Sequence, residues 1–301
     1  MPYNAILQDA ETLIIHFLNV GHGDTVIIEL PEVEGKRPCI VVDCYLADKT
    51  IDYLKVLGVD SLRLVVATHP HDDHIKGLEK LMKEFPVDQF WDSGFRHNTV
   101  TWLSLMNFIE TSNKIKFTRP TAGLETFIAG VKITVLAPSI SLRNRYDTYG
   151  VNINNASIVL KLEHKEGTVI LTGDAQWDSW SKITEDFPHF EETANPDQKI
   201  KVSKGLNPLK CNILKISHHG SKRGTSFEYI ERLRPNHAVI SCGTRFSMPD
   251  EITESILREP KNIKIIETRN GSVVYTVKES VKIYQGDDND PKDIPQNFNS
   301  I

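Results

Sequence analysis

The chain has 301 residues, 40% hydrophobic and 25% charged, with a formal charge of −5. That balance belongs to a globular protein able to bury its own core. It excludes a polyanion binder acting through its whole surface but not a local basic patch. Cys39, Cys44, Cys211 and Cys242 form no CxxC pair, which argues against a thiolate zinc cage and for buried thiols in a reducing compartment. No basic, apolar leader opens the chain, and no apolar run approaches the roughly 20 residues of a membrane span. A cytoplasmic protein is expected.

In chain order, Thr12 to Val20 and Thr25 to Leu30 predict a hairpin about the turn Gly21-His22-Gly23-Asp24. Cys39 to Asp43 reads as a short strand, and Ala47 to Leu57 as a helix ended by Gly58. Leu62 to Ala67 is apolar throughout, the pattern of a strand buried on both faces. The helical spacing of Ile75, Leu78, Leu81 and Met82 follows it. Further on are a strand at Val87 to Trp91, a helix from Thr99 to Ile109, and strands at Glu125 to Ile128 and Val131 to Leu136. A second hairpin is expected about Lys165-Glu166-Gly167, then a helix from Trp177 to Phe187. Residues 188–208 read as a surface insertion. Asn212 to Ser217, Ala238 to Cys242, Ile263 to Ile266 and Ser272 to Val277 read as strands, with helices at Phe227 to Leu233 and Glu251 to Arg258. Residues 1–284 are expected to form one domain. The run from 285 to 301 has too little apolar content to fold alone and is expected to be a flexible tail.

Chemistry concentrates in three strand-end loops. His69-Pro70-His71-Asp72-Asp73-His74 places three imidazoles and a carboxylate where a buried strand turns into a helix, a position at which open α/β folds set their ligands. His69 and His71 project from one side of an extended segment and can share one cation, with Asp73 and His74 displaced towards a second. Asp174 follows Leu171-Thr172-Gly173, where an aspartate more often caps a helix. His218 and His219 end the strand Asn212 to Ser217, followed by Gly220 and Ser221. Their recurrence in one chain favours divalent metal over three unrelated loops.

These motifs, HxHxDH, LTGD and HHGS in that order, resemble the metallo-β-lactamase superfamily. The likeness is closer to the hydrolase domain of competence DNA-uptake proteins of the ComEC type. Phe17 to Asp24 (FLNVGHGD) resembles that branch's FLDVGQGD, and Asn154-Asn155-Ala156-Ser157 its NNxS. The resemblance runs from about residue 12 to 278. It implies an αββα sandwich of two mixed sheets flanked by helices, and two divalent ions: zinc first, with manganese or iron as alternatives. It assigns His69 and His71 to the first ion, Asp73 and His74 to the second, and Asp174 to both. His218 completes the second, with His219 as its alternative, and Asp24 and Asp43 orient ligand histidines. The superfamily's usual third histidine for the first ion has no counterpart, since His97 lies in SGFRHN without a glycine-rich context. Met248 stands where relatives carry histidine before proline.

The implied activity is hydrolysis by metal-activated water, with Asp73 or Asp174 accepting the proton. From Lys199 to Arg245 ten Lys or Arg residues face only Glu228 and Glu231, which favours a phosphate-bearing substrate, DNA or RNA included. Asn155, Ser221, Lys222 and Arg223 are expected to contact it. Trp177, Trp180 and Phe187 read as core. The reading is therefore a phosphodiesterase or nuclease. Its alternatives are a hydrolase of a small ester, thioester or phosphocholine-type diester, and a non-catalytic partner module stabilised by metal.

Overall fold

The computed structural model describes residues 1–3, 6, 9–149, 152–188, 207–260 and 262–301. Its strands are β1 (Leu13–Phe17), β2 (Val26–Glu29), β3 (Cys39–Val42), β4 (Leu64–Ala67), β5 (Gln89–Asp92), β6 (Lys116–Thr118), β7 (Glu125–Ile128) and β8 (Val131–Ala137), then β9 (Val159–His164), β10 (Gly167–Leu171), β11 (Ile213–Lys215), β12 (His237–Ile240), β13 (Lys264–Glu267), β14 (Val273–Val277), β15 (Val281–Gly286) and β16 (Phe298–Ser300). They form one sheet in the order β16-β15-β14-β1-β2-β3-β4-β5-β6 and another in the order β13-β12-β11-β10-β9-β8-β7. The helices are α1 (Ala47–Val56), α2 (Asp72–Ile75), α3 (Leu78–Glu84), α4 (Val100–Thr111), α5 (Ile140–Tyr149), α6 (Trp177–Asp186), α7 (Phe227–Leu233) and α8 (Glu251–Arg258).

Alternation within the strands divides the core into three layers. Leu13, Ile15 and Phe17 of β1 join Ile133, Leu160, Val169 and Ile213 of the second sheet between the two sheets. Ile14, Val41, Val65 and Phe90 face the other way, onto Leu54, Leu81 and Leu105 of α1, α3 and α4. Ile170, Leu214 and Ala238 likewise meet Trp180, Ile183, Ile230 and Leu257 on the outer face of the second sheet. The result is the expected αββα sandwich. All four cysteines are buried thiols. Among the described residues, no helix is long and apolar enough to cross a membrane.

The first hairpin pairs Ile15 with Ile28, and the second pairs Gly167 with His164. β6 and α5 were not anticipated, because a three-residue strand and a helix of weak apolar periodicity leave little signal. The expected insertion lies mostly outside the described residues.

The expectation of a flexible tail is corrected. Beyond β15 the chain returns to pair Phe298 with Gly286, and Phe298 and Asp288 are buried. Asp288 accepts Lys49 Nζ at 2.7 Å, Ser272 N at 2.7 Å and Ser272 Oγ at 2.5 Å. Lys49 also donates to the Asn19 carbonyl at 2.7 Å, and Asn19 Nδ2 to the Asp288 carbonyl at 2.7 Å. One buried ion pair thus replaces the missing apolar content and braces the turn after β1. Asp288→Ala should cost roughly 3–5 kcal/mol, because it strands the Lys49 ammonium in the interior. The paired change Lys49→Met, Asp288→Leu should recover most of that loss, as read by urea unfolding.

Candidate metal centre

The site lies where strand ends of both sheets meet. Val65 and Val66 of β4 are parallel to β3 and β5, so the chain leaves the sheet at Thr68 and delivers His69 and, through α2, His74. Ile158 N donates to the Thr68 carbonyl at 2.9 Å, tying this end to the start of β9. Gly173 then turns β10 over Thr68 with φ +51°, and a Cβ there would lie 2.9 Å from the Thr68 side chain. The turn is left-handed and crowded, so glycine is required. It places Asp174, whose N–H donates to Ser157 Oγ at 2.9 Å, in the buried space between the sheets.

Two groups of ligand atoms share Asp174: His69, His71 and Asp174, and Asp73, His74, Asp174 and His219. Within each, the atoms lie within 4.8 Å of one another. His69 Nε2 and His71 Nδ1 are 3.0 Å apart. Burial pushes both imidazoles towards the neutral form, most strongly at His69, so their lone pairs converge on a place for one proton or one cation. His74 Nδ1 donates to Asp43 Oδ2 at 2.7 Å, which leaves Nε2 3.2 Å from Asp174 Oδ1. Those two buried atoms make no hydrogen bond of acceptable angle. Such orphaned donor atoms, oriented by a carboxylate behind the imidazole, fit a divalent ion.

Asp43 also accepts the N–H and hydroxyl of Thr68 at 2.8 and 2.7 Å, so it fixes both the strand end and His74. Asp24, Asp43 and His74 form a third acidic group. The buried ammonium of Lys215 sits on Asp24 and neutralises that group without an ion. Asp24 and Asp43 thus stand behind the ligand atoms.

The HHGS loop distinguishes its two histidines. His218 and His219 both adopt left-handed backbone, φ 50° and 54°, a conformation rarely held by two successive non-glycine residues. His219 turns inward, is buried, and donates from Nδ1 to the Ser241 carbonyl at 2.8 Å. Its Nε2 faces Asp73 Oδ2 at 3.3 Å. His218 lies outward, its Nε2 3.8 Å from Asp174 Oδ2. Asn152 Nδ2 donates to Gln176 Oε1 at 3.2 Å, and Gln176 Nε2 donates to His218 Nδ1 at 2.8 Å. That chain leaves the His218 proton on Nε2. The geometry therefore groups His219, not His218, with Asp73, His74 and Asp174.

Charge in the group is strongly coupled. Burial opposes ionisation of Asp174, but His74 and His219 hold its carboxyl well below the usual range. Burial likewise opposes a charge on His74 and His219. Asp174 outweighs it at both, helped by Asp43 at His74 and by Asp73 at His219, and both imidazoles are raised. Asp73 is held low, with burial opposed by His219 and His74.

The substrate-side expectations fare unevenly. Lys222 and Arg223 are exposed beside the HHGS loop, with Lys222 Nζ 3.9 Å from Asp250. Ser221 is buried and accepts Arg223 N at 3.4 Å. Asn155 is corrected: its Oδ1 accepts Gln176 N and Ser179 N at 3.0 and 3.2 Å, and its Nδ2 donates to Asp178 at 3.1 Å. Its amide is committed to starting α6. Of the expected core aromatics, Trp180 is buried but Trp177 is half exposed. Lys199, Lys201 and Lys204 lie outside the described residues. Two rings had been given no role. His97 stands with its centroid 5.7 Å from that of His71, and His22 stacks 4.3 Å from His219. Their only sequence signal is being histidine in a chain whose histidines converge.

The model of the metallo-β-lactamase superfamily matches residues 18–244, most of the chain. This chain belongs to the metallo-β-lactamase superfamily. It carries the fold of that superfamily's metal-dependent hydrolases, which implies divalent ions, often two. Among curated proteins it is similar to ComE operon protein 3 of Bacillus subtilis, at 24% identity over 89% of this chain and 33% of that protein. It is also similar to Recombination protein 2 of Haemophilus influenzae, at 25% identity over 64% and 19%. The chain thus spans a third or less of these relatives. Two solved structures share the fold. Tm1679, a metal-dependent hydrolase of the β-lactamase superfamily, matches with a TM-score of 0.51 at 17% identity, covering 85% of this chain and 95% of that one. CmlA, a diiron β-hydroxylase from Streptomyces venezuelae, matches with 0.51 at 10%, covering 88% and 54%.

Two outcomes follow from the superfamily site as built here. His219→Ala should lower metal content by about one ion per chain, whereas His218→Ala should leave it unchanged, as measured by elemental analysis after dialysis. Asp174 and its neighbours raise the pKa values of His74 and His219, so protons and metal compete for these two imidazoles. Metal binding should therefore release protons and tighten as pH rises. Calorimetry in buffers of differing ionisation enthalpy measures that release.

Proposed function

We propose that this chain is a phosphodiesterase acting on nucleic acid at a centre of two divalent ions. The observation that carries the reading is Asp174, one buried carboxylate shared by two ligand groups drawn from strand ends of both sheets. The donor set of imidazole and carboxylate suits zinc, and it also admits manganese or iron. His69 and His71 would hold the first ion, Asp73, His74 and His219 the second, and Asp174 both. When bound, such a pair lowers the pKa of water and neutralises charge on a phosphoryl oxygen.

The remaining work falls to the protein. Asp43 and the Ser241 carbonyl keep the protons of His74 and His219 on Nδ1 and their lone pairs inward. Asp73 is the one carboxylate of the cluster open to solvent, its side chain 32% exposed against 1% for Asp174. It remains ionised, so it is the acceptor best placed for the proton of an attacking water. Lys222, Arg223 and Arg245 are exposed along the rim formed by the HHGS loop and the loop after β12, where they can meet phosphate. The names of the competence-operon and recombination relatives accord with DNA as substrate. Met248 packs against the apolar cluster of the second sheet, so no side chain at that position serves the site.

Labelled single- and double-stranded DNA and RNA should be cut in the presence of manganese or zinc, and Asp73→Ala, His74→Ala should abolish cutting by at least about 100-fold. Lys222→Ala, Arg223→Ala should flatten the salt dependence of binding by roughly 0.7–0.9 in log–log slope per lost contact. Turnover of a thioester, a lactam or a phosphocholine diester, with every nucleic acid left intact, would overturn the nucleic-acid reading. A metal-loaded protein that hydrolyses nothing would point to a partner module.

A further inference from the structure

A file of rings leads from the buried cluster to the surface. The centroids of His74 and His219 are 5.6 Å apart, those of His219 and His22 are 4.3 Å apart, and those of His22 and Phe246 are 4.4 Å apart. The last ring is half exposed. The loop that carries it is firmly held. Gly243 packs its backbone on the turn after β1, where a Cβ would lie 2.8 Å from Gly21 C and His22 N. Ser241 holds His219, Pro249 is buried against Gly220, and Arg269 Nη1 donates to the Met248 carbonyl at 2.9 Å. Phe246 is therefore presented at a fixed place on the rim. The Arg245 guanidinium lies 5.6 Å from its centroid, exposed to solvent.

We infer that Phe246 is a stacking platform for a base next to the cleaved bond, with Arg245 as the cation beside it. This rests on the nucleic-acid reading above and adds to it a residue that grips the base. The two ring-to-ring steps place Phe246 within 8.7 Å of His219 (4.3 + 4.4). That span confines the platform to a base close to the scissile phosphate. Flat aromatic rings hold bases without regard to sequence, and guanidinium planes stack on them too. His22 lies between His219 and Phe246 and backs the platform as a second ring.

The test is an abasic scan. A single-stranded oligonucleotide is made with one base removed at each position in turn near the cleavage site, and KM and kcat are measured with manganese. For the native protein, one position should raise KM roughly 5- to 100-fold. Phe246→Ala should raise KM by a similar factor on the intact strand, leave kcat within about twofold, and become indifferent to the abasic position. Phe246→Trp should restore both the affinity and the abasic sensitivity. Unchanged metal content and unfolding midpoint would show that Phe246→Ala is correctly folded. If native protein and Phe246→Ala cut the strand with equal KM, or respond alike to the abasic scan, the platform is overturned while the nuclease reading stands. If the native protein cuts no nucleic acid, both fail.

Discussion

Three carboxylates, Asp24, Asp43 and Asp174, are buried around His74 at the junction of the two sheets, and the architecture of the site follows from the need to neutralise them. An unpaired buried charge is among the most expensive features a fold can carry. Lys215 settles Asp24, and the Nδ1 proton of His74 together with Thr68 settles Asp43. Asp174 alone is left facing imidazoles that can be either protonated or metallated. The burden of positive charge at that point is handed either to protons or to ions. The two are in competition, which makes the centre at once a metal site and a proton store.

The sandwich divides the labour. The first sheet supplies the rigid histidine run and its orienting aspartates, and the second supplies the shared carboxylate and the inward histidine. They meet across an apolar layer and, at the site, through Ile158 N, which donates to the Thr68 carbonyl at 2.9 Å. Relative displacement of the sheets would therefore separate the two ligand groups.

What was legible in the sequence was what is local. His69 to His74 is contiguous and sits after an unbroken apolar strand, so its position and its shared face could be read directly. Asp174 was readable only through the recurrence of such strand-end loops, since an aspartate there more often caps a helix. The choice between His218 and His219 was not, because extended alternation is broken by two left-handed residues that nothing in the sequence marks. Asn155 was misread for a related reason: a polar residue beside a site looks the same whether it faces substrate or starts a helix. The segment after Gly286 was illegible because its anchor is a pair between Asp288 and Lys49, 239 positions apart, and composition alone carries no trace of such a partner.

That distant pair has a consequence for how the molecule is assembled. β1 opens the chain yet has β14 as one of its two neighbours, and the turn after β1, which carries His22 and Asp24, is braced by the segment that contains Asp288. Contacts so far apart in sequence are slow to form, since a long loop must close before they repay its entropy. During synthesis the histidine run emerges well before β14 and Asp288, so β1 lacks one neighbour and the Lys49 ammonium its carboxylate until that segment is made. The brace on the turn after β1 is thus the last part to form, and a nascent chain lacking Asp288 would carry all the ligand residues without it.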